Sequence, residues 1–194
     1  MKEYIPLSVP NLRGNEVKYA TDAIDQEWVS TGGAYITRFE QQLAAYVGAA
    51  QAVACHSGTA GLDLAMLGLQ IGPGQGVLAP ALTFVAAVNP SRYVGAEPVF
   101  MDCDDSLCLD MDKLESFCAE ECEMKGITLY NQRTGKHISA VLVVHVFRNL
   151  ADMERLTEIA QNYQLKIIED ATEALGSYFP VGRFAGQHSG CTSH

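Results

Sequence analysis

Short runs of consecutive apolar residues alternate along the chain with longer segments in which apolar residues recur every three or four positions. The short runs predict buried strands, and the longer segments predict amphipathic helices. Strands that are apolar throughout are typical of a parallel sheet that helices cover on both faces. The predicted strands span residues 52–55, 76–79, 98–101, 139–145 and 165–168. The predicted helices span residues 15–27, 36–47, 60–69, 83–93, 112–123 and 152–163.

This order of elements predicts an α/β fold built on a doubly wound, mostly parallel sheet with helices on both faces. The length of 194 residues suffices for one domain with a sizeable core. Only the segment 125–136 interrupts the alternation, and its polar, glycine-punctuated sequence predicts a surface hairpin or loop.

The charge and hydropathy of the chain exclude two classes of partner. A formal net charge of −10 argues against nucleic-acid binding, because neutralising phosphates needs clustered lysine and arginine. No apolar run reaches the roughly 20 residues that a membrane span requires. Residues 1–16 are too polar and too interrupted by proline for a secretion signal. We therefore expect a cytoplasmic protein that binds neither membranes nor nucleic acid.

The six cysteines do not form a recognisable metal or disulfide pattern. None of them belongs to a C-x-x-C pair, although Cys118 and Cys122 lie four residues apart on a predicted helix. No pair of histidines with matching spacing stands nearby. We expect reduced, mostly structural cysteines and no metal site.

Ligands of open α/β sheets bind at the carboxyl ends of the strands, which directs attention to the residues that follow each strand. Segment 57–61 (Ser-Gly-Thr-Ala-Gly) follows the first predicted strand and opens a helix. Small residues there expose backbone N–H groups at a helix N-terminus, which favours an anion such as phosphate. Alternatively, Ser57 or Thr59 caps the helix. The segment matches neither a P-loop nor a G-x-G-x-x-G fingerprint, which disfavours ATP and NAD.

Three further strand ends carry side chains of chemical interest. Phe84 follows the second strand and either stacks on a planar ligand or packs in the core. His145 ends the fourth strand, where a lone histidine is more typical of a structural hydrogen bond. Asp170 ends the fifth strand, where a carboxylate needs a cation or a strong donor. The alternative is that Asp170 caps a helix from Ala171, with Glu173 completing a capping box.

Taken together, these strand ends fit one cofactor. The phosphate of pyridoxal 5′-phosphate (PLP) favours a helix N-terminus, and its ring favours a flat apolar surface. Its pyridine nitrogen needs a carboxylate, which keeps it protonated so that the ring can act as an electron sink. An anion site, an aromatic side chain and a carboxylate at one sheet edge therefore predict PLP.

The sequence also resembles the DegT/StrS-type sugar aminotransferases from about Ile5 to Gly186. The matching segments are 57–60 (SGTA), 77–84 (VLAPALTF), 95–102 (GAEPVFMD), 144–147 (VHVF) and 168–176 (IEDATEALG). The resemblance implies an aspartate-aminotransferase-like large domain (PLP fold type I) and a homodimer in the full-length form. It implies amination of a keto group on a nucleotide-activated sugar, with glutamate as amino donor. Segments 5–11 and 120–137 resemble the legionaminate branch, whose substrates are UDP-linked 4-keto-6-deoxy-N-acetylamino sugars.

The resemblance also implies roles for individual residues. Gly58, Thr59 and Ala60 bind the phosphate, and Phe84 stacks on the ring. Asp170 pairs with the ring nitrogen. A further residue, Glu173, lies near the ring 3-hydroxyl, where many relatives have glutamine. Segment 28–35 (WVSTGGAY) lies near the mouth of the site in a dimer.

Two departures from the family change the expectation. The family's catalytic lysine follows the element found here at 182–186 (GRFAG), but residues 187–194 do not match the family's continuation. None of the six lysines stands at the matching position. We therefore expect residues 1–194 to form an incomplete PLP-binding large domain without the C-terminal small domain. We name no catalytic residue in it and expect no turnover from these residues alone.

The second departure is at 147–150, which reads Phe-Arg-Asn-Leu where relatives read Phe-Gly-Asn-Pro. It predicts either a strained turn at Arg148 or added bulk beside the cofactor. The predicted strand 52–55 is also expected to lack its sheet neighbours, which come later in the family's sequence.

Two other readings of the sequence stay open. One is a noncatalytic protein of the same fold that binds PLP or a nucleotide sugar, or that pairs with a full-length paralogue. The other is a different enzyme of the fold, such as a PLP-dependent lyase or a sugar dehydratase with histidine in place of lysine.

Overall fold

The computed structural model describes residues 4–6, 9–28, 30–179, 185–186 and 192–193. The chain forms two compact units. The first unit comprises residues 1–46 and 50–54, and the second comprises residues 47–49 and 55–194.

The first unit contains helix α1 (Glu16–Asp25) and nearly all of helix α2 (Ala34–Val47), which confirms both predicted helices. A hydrogen bond from the Tyr35 hydroxyl to Asp22 Oδ2, 2.6 Å long, connects the two helices. This bond lowers the pKa of Asp22 and raises the pKa of Tyr35. None of the residues of α1 is buried, so polar contacts such as this one hold the helix within the unit.

Within the described residues, the second unit contains one sheet of seven strands and four longer helices. The strands are β1 (Gln75–Pro80), β2 (Glu97–Met101), β3 (Cys122–Lys125), β4 (Thr128–Asn131), β5 (His137–Val144), β6 (Lys166–Asp170) and β7 (Thr192–Ser193). The helices are α3 (Gly58–Gly68), α4 (Val85–Tyr93), α5 (Met111–Ser116) and α6 (Met153–Tyr163). A π-helical turn, Phe117–Glu121, continues α5.

Strand β5 is the centre of the sheet, because it pairs with three other strands. On one side it pairs in parallel with β1, which pairs in parallel with β2. On its other side, β5 pairs with the antiparallel strand β4 near His137 and in parallel with β6 further along. The predicted mostly parallel sheet is therefore confirmed, with an antiparallel β3–β4 hairpin added at one end.

The apolar residues of β5 explain why helices cover both faces of the sheet. Ala140 and Leu142 pack with residues of α3 and α4 in one apolar core. The alternate residues Val141 and Val143 pack with residues of α5 and α6 in a second core. Successive side chains of a strand point to opposite faces, so a strand apolar at every position is buried on both.

Two details of the prediction are wrong, and a third is confirmed with an addition. Residues 52–55 do not form a strand, and this apolar run is not buried either, since Val53 is 74% exposed. The predicted helix 112–123 ends early, since Cys122 opens β3 and pairs with Asn131. The predicted surface segment 125–136 forms a hairpin, as expected, but β4 also extends the sheet by pairing with β5.

The turn after β5 has the strain that the sequence predicts. Phe147 and Arg148 both adopt left-handed backbone conformations, with φ of 53° and 67°. Two contacts of Asn149 hold this turn: its Nδ2 donates to the Ser106 carbonyl over 2.8 Å, and its carbonyl accepts from Cys108 Sγ over 3.3 Å. The turn therefore keeps a conformation that suits glycine although neither residue is glycine.

The cysteines of the second unit are mostly buried thiols. Burial raises the pKa of Cys118 to about 12 and that of Cys122 to about 11, so both are protonated at neutral pH. Across the described residues, no three His, Cys, Asp or Glu side chains are grouped so as to hold a metal ion. No helix in the described ranges is long and apolar enough to cross a membrane.

We predict that Leu156→Ala lowers the free energy of unfolding by about 2–5 kcal/mol, because it leaves a cavity under α6. Leu156 is fully buried, whereas Leu64 on α3 is 54% exposed and supplies the matched control. Leu64→Ala should change the stability by less than about 0.5 kcal/mol. Urea unfolding followed by circular dichroism measures both values, and equal losses would contradict the assigned core.

We also predict that Arg148→Gly raises the free energy of unfolding by about 0.5–1 kcal/mol, since a left-handed backbone costs a non-glycine residue roughly 1–2 kcal/mol. Arg133 lies in the turn between β4 and β5 and is not left-handed. Arg133→Gly should therefore not stabilise the protein. The same urea titration tests the pair, and a loss of stability in both variants would show that the turn at Arg148 is unstrained.

Candidate active site

A cavity of about 460 Å³ lies at the carboxyl edge of the sheet in the second unit. It is bounded by the start of α3, the loop after β1 and the ends of β5 and β6. Five of the six residues predicted to bind a cofactor line this cavity: Gly58, Thr59, Phe84, Asp170 and Glu173. The fold thus brings Gly58 and Glu173, which are 115 positions apart in the chain, to the same cavity.

The N-terminus of α3 forms one wall of the cavity. Ser57 caps the helix, because its Oγ accepts a hydrogen bond of 3.2 Å from the Ala60 N–H. The capping interpretation of this segment is therefore correct for Ser57, while Gly58 and Thr59 line the cavity. Ala60 does not line it, and its N–H is already bound by the cap. The helix dipole and the remaining N–H groups of the first turn favour an anion at this wall.

Phe84 forms the aromatic part of the cavity. It occupies the N-cap position of α4, and its side chain is 79% exposed although it lines the cavity. The alternative that Phe84 packs in the core is therefore wrong. The neighbouring Thr83 also lines the cavity, and its buried Oγ1 has no hydrogen-bond partner among the described residues. Thr83 was not predicted as a site residue, because a hydroxyl next to an aromatic residue is not a sequence pattern typical of a binding site.

Asp170 lies at the end of β6 and is only 6% exposed. Its Oδ1 accepts hydrogen bonds from the backbone N–H of Thr172, over 3.1 Å, and from the Thr172 hydroxyl, over 2.6 Å. Residues 172–176 form turns, so the alternative in which Asp170 caps a helix from Ala171 is wrong. Glu173 completes no capping box, because its Oε2 accepts the Phe147 N–H over 2.6 Å. Glu173 thus ties the strained turn after β5 to the turn after β6.

Glu169, which precedes Asp170 in β6, is a second buried carboxylate and was not predicted as a site residue. Glu169 Oε1 lies 2.9 Å from His145 Nε2, and both side chains are fully buried. The Gly186 N–H also donates to Glu169 Oε1, over 2.6 Å. The structural interpretation of His145 is therefore correct. A signal was present, because a strand that ends in two consecutive carboxylates must place one on each face.

Several predicted elements are described only in part. Of the element 182–186, the structure describes Ala185 and Gly186, while residues 187–191 and 194 lie outside the described residues. Segment 28–35 belongs to the first unit, and its place near a dimer mouth stays a prediction. Lys166 begins β6, at the opposite end of the strand from Asp170, and its amine donates to the Leu69 carbonyl. Among the described residues that line the cavity there is no lysine.

The residues of the cavity fit PLP. Its phosphate would face the helix N-terminus at Gly58, where an added Cβ would come no closer than 3.5 Å to another residue. An exposed aromatic ring and a nearly buried carboxylate stand on the remaining walls. A planar, cationic ring with a phosphate arm needs this combination of groups.

Comparisons with known proteins agree with this geometry. Residues 10–193 match the DegT/DnrJ/EryC1/StrS aminotransferase family. The chain is 36% identical over 190 residues to GDP-perosamine synthase of Caulobacter vibrioides, covering 97% of this chain and 47% of that enzyme. It is 33% identical over 184 residues to GDP-perosamine synthase of Escherichia coli O157:H7, covering 95% and 46%.

Among solved structures, the PMP-form of Spr1654 from Streptococcus pneumoniae superposes with a TM-score of 0.83 at 25% identity, over 97% of this chain and 47% of that one. The predicted aspartate-aminotransferase-like fold is thereby confirmed. The chain spans about half the length of the curated relatives that it matches. The chain belongs to the DegT/DnrJ/EryC1/StrS aminotransferase family.

Proposed function

We propose that this chain provides the PLP-binding part of an enzyme that transfers an amino group to a keto group of a nucleotide-activated sugar. Asp170 is the observation that carries the proposal, because a nearly buried carboxylate opens into the same cavity as a helix N-terminus and an exposed aromatic ring. The GDP-perosamine synthases support the sugar substrate. Glutamate as amino donor and a homodimer in the full-length form are parts of the same proposal.

Each residue of the cavity has a distinct task in this proposal. The N–H groups at Gly58 and Thr59 bind the phosphate, and Phe84 packs against the ring. Asp170 accepts a hydrogen bond from the protonated ring nitrogen. Ala60 contributes through the first turn of α3 and not by its own N–H, which Ser57 holds. When bound, PLP supplies the electron sink for the transfer.

Glu173 has a different task from the glutamine of many relatives. A carboxylate only accepts hydrogen bonds when it is ionised, and one of its oxygens already accepts the Phe147 N–H. Glu173 therefore fixes the wall formed by the turn after β5. Its predicted proximity to the ring 3-hydroxyl remains part of the proposal.

The residues that line the cavity also bear on how PLP would be held. The described cavity lining contains no lysine, so the described residues would hold PLP through hydrogen bonds and stacking. We expect no turnover from these residues alone. The UDP-sugar specificity of the legionaminate branch and a cytoplasmic location stay predictions.

The groups that line the cavity also suit a second candidate, a noncatalytic protein that binds PLP or a nucleotide sugar. Borohydride reduction in the presence of PLP, followed by intact-mass measurement, separates the two candidates. Both predict no site-specific adduct for the 194 residues alone. An adduct that appears only in the protein from its native host supports the enzyme, and its absence there supports the noncatalytic protein.

We predict that Asp170→Asn weakens PLP binding by about 10–100-fold, the loss expected for one hydrogen bond to a charged group. Asparagine retains an Oδ1 that accepts from Thr172, so the local fold should persist. Asp110→Asn is the matched control, because Asp110 caps α5 with its own Oδ1 outside the cavity lining. Equilibrium dialysis measures the dissociation constants, and an equal effect of both variants would contradict the site.

We predict that Phe84→Ala weakens PLP binding by about tenfold, since stacking contributes roughly 0.5–1.5 kcal/mol beyond the buried area. Phe100→Ala serves as the control, because Phe100 is 57% exposed on β2 and does not line the cavity. The same dialysis experiment compares the two variants. A larger loss in Phe100→Ala would move the ring-binding surface away from Phe84.

A further inference from the structure

One polar atom in the wall of the cavity has no task in the proposed function. The hydroxyl oxygen of Thr83 is buried and has no hydrogen-bond partner among the described residues, and Thr83 lines the cavity. A buried hydroxyl without a partner costs free energy, because it has given up its hydrogen bonds to water. Most buried polar groups in folded proteins do have a partner. The Thr83 hydroxyl therefore needs an explanation beyond packing.

The two carboxylates in the described lining of the cavity differ from Thr83 in this respect. Asp170 Oδ1 accepts the Thr172 hydroxyl over 2.6 Å, and Glu173 Oε2 accepts the Phe147 N–H over 2.6 Å. In both cases the fold itself supplies the bond. For Thr83 the described part of the fold supplies none, whereas the cavity lies next to it. A ligand in the cavity is thus well placed to supply the missing partner.

The start of α4 indicates what kind of group this partner is. The helix has nine residues, and the side chain of its N-cap residue, Phe84, makes no capping hydrogen bond. The first N–H groups of a helix have no partner within the helix. Ala86 and Ala87, in the first turn of α4, line the cavity together with Thr83. The positive end of α4 therefore lies at the same wall as Thr83 and favours an anionic oxygen.

A threonine hydroxyl suits an anionic oxygen, because it can donate one hydrogen bond. Hydrogen bonds to a charged acceptor are stronger than those between neutral groups. PLP carries two kinds of oxygen that can be anionic, those of the phosphate and the oxygen at position 3 of the ring. Phe84, which packs against this ring in the proposed function, directly follows Thr83. The Thr83 hydroxyl and the ring would therefore be neighbours.

We propose that the Thr83 hydroxyl donates a hydrogen bond to an anionic oxygen of the cofactor, either a phosphate oxygen or the ring 3-oxygen. The inference rests on the proposed function, because it adds a binding residue to the site of the same cofactor. The hydroxyl lacks a partner in the ligand-free cavity, so binding the cofactor removes a cost that the free chain bears. Thr83 is then a residue that favours the bound state more than it favours the fold.

The experiment compares Thr83→Val, which keeps the branched shape and removes the hydroxyl, with Thr83→Ser, which keeps the hydroxyl. Thr134→Val is the matched control, because the Thr134 hydroxyl donates to Asn131 Oδ1 over 3.1 Å and Thr134 does not line the cavity. The ligand is pyridoxamine 5′-phosphate (PMP), in which an amine replaces the aldehyde of PLP, so that no lysine is needed for binding. Equilibrium dialysis measures its dissociation constants, and urea unfolding measures stability.

We expect Thr83→Val to weaken PMP binding by about 10–100-fold, the loss typical of one hydrogen bond to a charged group. Thr83→Ser should bind PMP nearly as well as the unaltered chain. Without ligand, Thr83→Val should leave the urea midpoint unchanged or raise it, since it removes a buried hydroxyl that has no partner. Thr134→Val should lower the midpoint, because that hydroxyl has a partner, and should leave PMP binding unchanged.

Two analogues of PMP identify the oxygen that Thr83 binds. Pyridoxamine lacks the phosphate, and 3-deoxypyridoxamine 5′-phosphate lacks the ring 3-oxygen. For the analogue without the bound oxygen, the dissociation constants of Thr83→Val and of the unaltered chain should have a ratio of about one. If the ratio measured with PMP persists with both analogues, the hydroxyl binds neither oxygen and the inference is overturned.

The remaining outcomes separate this inference from the proposed function. Equal PMP affinities of folded Thr83→Val and of the unaltered chain overturn the inference and leave the proposed function standing. A lower urea midpoint or a loss of folding in Thr83→Val also overturns the inference, because the hydroxyl then has a structural task. Failure of the unaltered chain to bind PMP overturns both.

Discussion

The parallel pairing of β5 with β6 is the constraint on which the candidate site depends. Val144 lies opposite Asp170 in the ladder, and the His145 N–H donates to the Asp170 carbonyl over 3.2 Å. This register brings the two strand ends to one level, so the turn after β5 and the turn after β6 face the same cavity. A shift by one residue would turn Asp170 away from the cavity and point Glu169 toward it.

Side-chain hydrogen bonds then fix these two turns to each other. Glu173 Oε2 accepts the Phe147 N–H and joins the two turns, while His145 Nδ1 accepts the Ala151 N–H within the segment after β5. The strained backbone at Phe147 and Arg148 persists because bonds on both sides determine its conformation. The strain lies beside the cavity, where proteins commonly retain it, and a glycine at position 148 would relieve part of it.

The cavity brings together the groups that the proposal assigns to a phosphate-bearing ring. Gly58, Thr59, Phe84 and Asp170 all line it, and the described lining contains no lysine. Binding of the ring and its covalent attachment are therefore separate questions, because the first concerns side chains that line the cavity and the second needs an amine.

The sequence by itself determined the fold class and most elements, because apolar runs and helical periodicity report burial directly. It also identified Gly58, Thr59, Phe84 and Asp170, since each follows a strand end and carries a distinctive chemistry. It did not determine which interactions these groups make. The tertiary structure decided that Glu173 accepts the Phe147 N–H and that Glu169 is buried against His145. Both depend on the register of β5 and β6 and on turns that bring together residues more than twenty positions apart, and local patterns contain no information about such contacts.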